Sequence, residues 1–243
     1  MTDLLDQIAG AQPAPPQWVV LATAGAALLI VVSGGPWRLA RNVVTIVHEA
    51  GHAVVALLAG RRLAGIRLHS DTSGVTVSRG KPTGPGMVFT ALAGYPAPSL
   101  LGLGLAALLG AGKITLLLWL CAALLLAVLI MIRNAYGVVS VLVTGGVLVG
   151  VSLLTEPEVQ AAFAYLITWF LLLAGIRPVG ELQAKRRRGR ANDSDADQLA
   201  RLTGTPGLFW VFAFGLIALG ALALAGGWLL ADALADVLAG ATA

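Results

Sequence analysis

Charge is scarce in this chain. Lys, Arg, Asp and Glu together make up 12% of its 243 residues, about half of what a soluble domain carries. That excludes a surface exposed mainly to water. Cysteine is nearly absent as well. The single Cys121 lies inside an apolar run, so no intramolecular disulfide can form and no thiolate cluster can hold a metal. It is expected to be a packing residue. Histidine (three) and glutamate (four) are so few that any place where they cluster stands out. Residues 1–17 lack the basic stretch of a cleaved signal peptide and carry Asp3 and Asp6, so the first apolar run is expected to stay as an anchor.

What the chain has instead is apolar length. Hydrophobic residues are 58% of the sequence and mean hydropathy is +0.86. They fall in runs at 18–33, 37–60, 87–109, 114–132, 136–154, 159–176 and 208–231, near the length of about 20 residues that crosses a bilayer as a helix. The expectation is an all-α polytopic membrane protein with about seven transmembrane helices. It has a polar N-terminal segment (1–17), a membrane domain (18–231) and a C-terminal tail (232–243). Gly34-Gly35-Pro36 closes the first run, and Pro96 and Pro98 are expected to kink the third. Gly146 and Gly150 form a G-x-x-x-G contact pattern, which arises easily by chance among 30 glycines.

One apolar run carries residues that lipid disfavours. Within 37–60 stands His48-Glu49-Ala50-Gly51-His52, an H-E-x-x-H signature. Four residues apart on a helix, the two imidazoles project from one face. That spacing suits two neutral nitrogens on one Zn²⁺ with bonds of about 2.0–2.1 Å. Glu49, beside the first ligand, is placed to act as general base on a water and then to carry the proton to a leaving amine. With so few His and Glu, a chance match has odds of roughly one in two thousand.

Residues 61–85 are too polar to span. Ile66 and Leu68 alternate with Arg67 and His69, Val75 and Val77 alternate with Thr76 and Ser78, and Ser70-Asp71-Thr72-Ser73-Gly74 lies between. This pattern predicts a short β-hairpin after the H-E-x-x-H helix; a plain surface loop is the alternative. A hairpin would offer a free edge to an extended substrate segment. The second polar stretch, 177–206, holds the basic run 185–190, read as a cytoplasmic anchor that contacts anionic lipids. No nucleic-acid recognition fold accompanies it, so no nucleic-acid partner is expected. With seven spans and a cytoplasmic N-terminus, basic residues divide 13 inside to 3 outside, accounting for all 16. The C-terminus then lies outside.

The H-E-x-x-H run, the short β segment behind it, Ala93-Gly94-Tyr95, Arg133-Asn134 and Ser194-Asp195-Ala196 with Leu199-Ala200 and Leu202-Thr203 together resemble the site-2 protease family. The resemblance is to a compact bacterial branch and covers most of the chain. It implies an intramembrane zinc metalloprotease in the plasma membrane, the inner membrane in bacteria, that cleaves membrane-embedded helices. On this reading His48 and His52 are metal ligands and Glu49 is the catalytic base.

The third ligand is more open. Better-known members use the Asp of a Leu-Asp-Gly motif, which this chain lacks. Candidates are His69, Asp71, Glu181, Asp193, Asp195 and Asp197. Asp195 is chosen because Ser194-Asp195-Ala196 matches the branch pattern, with Asp197 next. Ser194 could equally cap a short helix whose first turn is acidic. Asn134 would bind substrate backbone or an oxyanion, or simply end a loop. Expected partners are a membrane-protein substrate and the lipid bilayer; oligomeric state is left open. The rival reading is a metal-binding scaffold or transporter without proteolysis, which would not need Glu49.

Overall fold

A bilayer core offers no water to unpaired backbone groups, so apolar runs must close their hydrogen bonds internally as helices. The computed structural model follows this rule and describes residues 10–189 and 193–231. Asp3, Asp6, Arg190, Asp232 and Asp236, and with them the tail 232–243, lie outside the described residues. The elements are α1 (Gln17–Val32), α2 (Gly34–Leu58), β1 (Arg62–Leu68), β2 (Gly74–Arg79), α3 (Pro85–Leu92), α4 (Ala97–Gly110), α5 (Ile114–Met131), α6 (Ala135–Leu154), α7 (Pro157–Ala174), α8 (Arg177–Arg187), α9 (Asp195–Thr203) and α10 (Gly207–Leu229).

The count of seven spans is not confirmed. Among the described residues four helices are long and apolar enough to cross a membrane: α5, α6, α7 continued into α8, and α10. Two further pairs are bent, α1 with α2 by 99° and α3 with α4 by 71°, giving six if each pair counts as one span. Gly34-Gly35-Pro36 does end α1, but the chain turns at Ser33 and α2 begins at once. No loop separates the two arms, so the run expected as an independent second span is the second arm of a corner. The expected proline kink is present, as the break between α3 and α4 around Pro96.

Contacts sort the turns into two ends. At one end, the Gln12 N–H donates to the Gly112 carbonyl (2.7 Å) and Gln12 Oε1 accepts from Thr115 N (3.2 Å). At the other, the α1–α2 corner meets α8. Arg177 reaches the Val31 carbonyl and stacks over Trp37 at 4.7 Å. Glu181 takes hydrogen bonds from Trp37 Nε1 (3.1 Å) and Arg177 Nε (3.1 Å) and pairs with Arg41 at 3.2 Å. This second end also holds the hairpin, the α3–α4 break and the α5–α6 turn. Arg38 and Arg41 therefore lie with the other basic residues. Among the described residues Lys113 alone sits at the opposite end, which replaces the expected 13-to-3 division by 14 to 1.

Between the ends, small residues let helices approach closely. Ala27, Ala106, Ala164 and Ala174 are fully buried with Leu117 and Leu172. Gly102 lies against Leu172 and Gly175 against Ser99. Cys121 packs at the margin of this core, as expected. Gly146 and Gly150 face open space, so the G-x-x-x-G pattern makes no helix contact among the described residues.

The expected hairpin forms as an antiparallel pair, with Ile66 opposite Thr76 and Leu68 opposite Gly74. Ile66 and Leu68 are buried as their alternation predicts, but Val75 and Val77 point outward. The inward face of β2 carries Gly74, Thr76 and Ser78, because it crosses directly over α2 and has no room for valine. The α5–α6 turn acts as a third strand on β1. Arg133 N–H donates to the Ile66 carbonyl (2.9 Å). The Asn134 side chain accepts from Leu68 N (3.2 Å) and donates to Leu68 O (2.7 Å). Asn134 is thus bound to the sheet backbone, not presented to a ligand.

Candidate metal centre

The site is built on α2. Thr45, Glu49, His52 and Ala56 are buried along one face, while Val54, Leu57 and Leu58 are exposed on the other. This helical spacing brings His48 and His52 together, with Nε2 atoms 3.1 Å apart. The His52 Nδ1–H donates to the Thr90 carbonyl at 2.6 Å. A carbonyl can only accept, so the proton is on Nδ1 and the Nε2 lone pair faces the site. Tyr95 sets its ring edge-on to His48 (4.9 Å between centroids) and stacks on Phe214 (4.9 Å), walling the site on that side. Gly94 closes the floor; a Cβ there would collide with the Nε2 atoms of both histidines.

The third group comes from far along the chain. Asp195 opens α9, and its Oδ2 lies 3.3 Å from each histidine Nε2. Ser194 caps the helix, its Oγ accepting from Asp197 N–H at 3.3 Å. Gly204, in the left-handed region at φ 74°, ends it. Ala196 and Leu199 are fully buried against Ala91, Val179, Leu182 and Phe214, which fixes α9 beside α3 and α10. Both alternatives at this helix start are therefore realised: Ser194 is a cap and Asp195 faces the histidines.

His48, His52 and Asp195 are the group of donors that could hold a metal among the described residues. Their chemistry fits one. Asp195 Oδ2 is buried without a hydrogen-bond partner, and it converges with the lone pair of His52 Nε2 and with His48 Nε2, a set of acceptors that a cation between them would satisfy. Edges of 3.1 to 3.3 Å match the separation of about 3.3 Å between ligands of a tetrahedral ion bonded at about 2.0–2.1 Å.

Glu49 is 4% exposed. Thr76 Oγ1 lies 2.7 Å from its Oε2 and 3.0 Å from its backbone carbonyl, and donates to this pair of acceptors. Gly74 passes so close that a Cβ would stand 2.6 Å from Glu49 Cγ and 2.7 Å from Oε1. The hairpin thus lies directly on Glu49.

The other ligand candidates are elsewhere. His69 is exposed, 3.3 Å from Ser73 Oγ. Asp71 accepts from the Ser73 hydroxyl and amide (2.6 and 3.0 Å), which hold its carboxyl below the usual carboxylate range. Glu181, on α8, is engaged by Trp37, Arg41 and Arg177, and Asp193 is exposed. Asp197 pairs with Arg186. Sequence reasoning missed the roles of Thr76 and Gly74, although the period-2 pattern of β2 places both on one face. It also missed the Thr90 carbonyl, a backbone group that no side-chain pattern reports.

None of the curated proteins and none of the solved structures compared with the chain matches it. The family model described as Peptidase M50B-like matches residues 21–225, a stretch that contains the H-E-x-x-H helix, the hairpin and α9. The chain is a multi-pass membrane protein and belongs to the Peptidase M50B-like family, the site-2 protease family that its motifs resemble.

Proposed function

We propose that the protein is an intramembrane zinc metallopeptidase that hydrolyses a peptide bond in or near the transmembrane segment of a membrane-protein substrate. The observation that carries this reading is the buried Glu49 carboxylate, next in the chain to His48 and covered by Gly74 and Thr76 of β2. His48, His52 and Asp195 would hold the ion. When bound, zinc supplies a Lewis acid that polarises a carbonyl and acidifies water. Glu49 takes the proton of the attacking water on a carboxylate oxygen and returns it to the leaving amide nitrogen. Thr76 keeps Oε2 oriented, and the burial of the carboxylate restricts bulk water.

A substrate helix must unwind first, because its carbonyls are already bonded. The register says where the extended segment would lie. Ile66 and Leu68 turn their backbone groups toward the α5–α6 turn. In an antiparallel ladder their partners Thr76 and Gly74 must then turn theirs away from β1. The strand that carries this outer edge packs on Glu49, and the edge has no backbone partner among the described residues. The edge of β1 is closed by Asn134, so strand addition falls to β2.

The 14-to-1 distribution of basic residues supports a cytoplasmic setting for the site end. With six spans, Gln12 and Lys113 lie on the opposite side. The setting is the plasma membrane, the inner membrane for a member of the bacterial branch. The test is reconstitution with single-span membrane proteins as substrates, comparing wild type with Glu49→Gln. Cleavage by wild type that is lost in the variant supports the reading, and equal cleavage by both overturns it.

A further inference from the structure

Arg186 belongs to the basic run that by sequence alone is a membrane anchor, yet it does not point to lipid. Its guanidinium pairs with Asp197 and lies against the backbone of Gly207, where any Cβ would collide with it. Asp197 is held from a second side: Ser194 Oγ–H donates to its Oδ2 at 2.6 Å. Arg186 follows Val179 and Leu182 on one face of α8, and those two residues are buried against Ala196 and Leu199 of α9. The first turn of α9 is therefore gripped by apolar packing beneath and by one ion pair at its edge. Asp195 sits in that turn, two residues from Asp197.

We propose that Arg186 is a positioning residue for the metal centre: by engaging Asp197 in the space left by Gly207, it aims Asp195 at His48 and His52. The ion pair also occupies Asp197, a neighbouring carboxylate that could otherwise compete for the metal. The three groups form a relay in which Gly207 makes room, Arg186 fills it and Asp197 is pulled into register. This inference rests on the metal-site reading above.

The test uses the full-length protein in detergent. The readouts are the zinc dissociation constant against a competing chelator, the visible absorption of the Co²⁺-loaded protein, and the thermal midpoint of each variant. Arg186→Gln is expected to weaken zinc binding by about 10–100-fold, the usual cost of losing a group that orients a ligand, and to alter the Co²⁺ spectrum as the carboxylate shifts. Gly207→Ala displaces the guanidinium and is expected to do the same, while adding nothing on the Arg186→Gln background. Arg186→Lys keeps the charge and should recover part of the loss. If Arg186→Gln lowers the thermal midpoint so far that binding cannot be read, Arg186→Lys and Gly207→Ala carry the test. Wild-type affinity and spectrum in Arg186→Gln and Gly207→Ala overturn the inference while leaving the metal site standing. So do losses in the two variants that multiply in the double variant. Failure of the wild type itself to bind zinc removes the metal reading and this inference with it.

Discussion

The two arms of the candidate metal centre reach it by different routes. His48 and His52 are four residues apart on one helix, so the geometry of α2 alone sets their spacing. Asp195 stands 143 residues after His52 on the nine-residue α9, and no local rule brings it there. The histidine arm is stiff by construction. The carboxylate arm depends on packing, a cap and an ion pair, each of which can fail separately. A donor set that comes from one long helix and one short one gains a place where its assembly can be tuned.

The comparison breaks most completely at the stiff arm. His52→Ala removes a ligand together with its bond to Thr90, and zinc should fall from about one per chain to near none by metal analysis. Asp195→Ala leaves the histidine pair, so weaker binding should persist where His52→Ala shows none. Equal residual zinc in both would mean that the arms do not differ as described. Gly94→Ala inserts a methyl group against both imidazoles, and the expected result is zinc affinity lower by about 10–100-fold with the helices still folded by circular dichroism. Thr76→Val leaves both arms intact and removes only the hydroxyl at Glu49. A hydrogen bond to a charged group contributes about 1.5–3 kcal/mol, so the cleavage rate should fall about tenfold or more at unchanged zinc content. Asn134→Ala frees the β1 edge, at an expected cost of about 1 kcal/mol in thermal unfolding.

The sidedness sharpens the same account. With Cys121 replaced by serine, a cysteine at Ala11 should react with a membrane-impermeant thiol reagent added from outside, and one at Ala135 should not. Labelling at Ala135 alone would invert the orientation and put the site on the outer face.

What was legible in the sequence is what depends on neighbours. The H-E-x-x-H spacing, the alternation that makes β1, and the proline break after α3 all follow from residues a few positions apart. The seven-span count is not confirmed because a Gly-Gly-Pro stop reads the same whether a loop or a sharp corner follows, and here α2 restarts at Gly34. The alternation of β2 left open which face turns inward, because sequence hydrophobicity does not show that Glu49 lies under the strand. Asp195 was reached only through the resemblance, since its approach to the histidines depends on Leu199, Leu182 and Phe214 packing across three helices. Glu181, Asp71 and Asp197 carry the same chemistry as Asp195 and differ only in the partners the fold gives them.

The central claim is that Glu49 serves reaction and the His48–His52–Asp195 set serves binding. The measurement that tests it most directly is zinc content paired with cleavage of a reconstituted single-span substrate, for wild type and Glu49→Gln. The account predicts about one zinc per chain in both proteins and a cleavage rate lower by about 10²–10⁴-fold in the variant, the usual cost of losing a general base. Undiminished cleavage by Glu49→Gln would contradict it, as would a loss of zinc in step with the loss of cleavage.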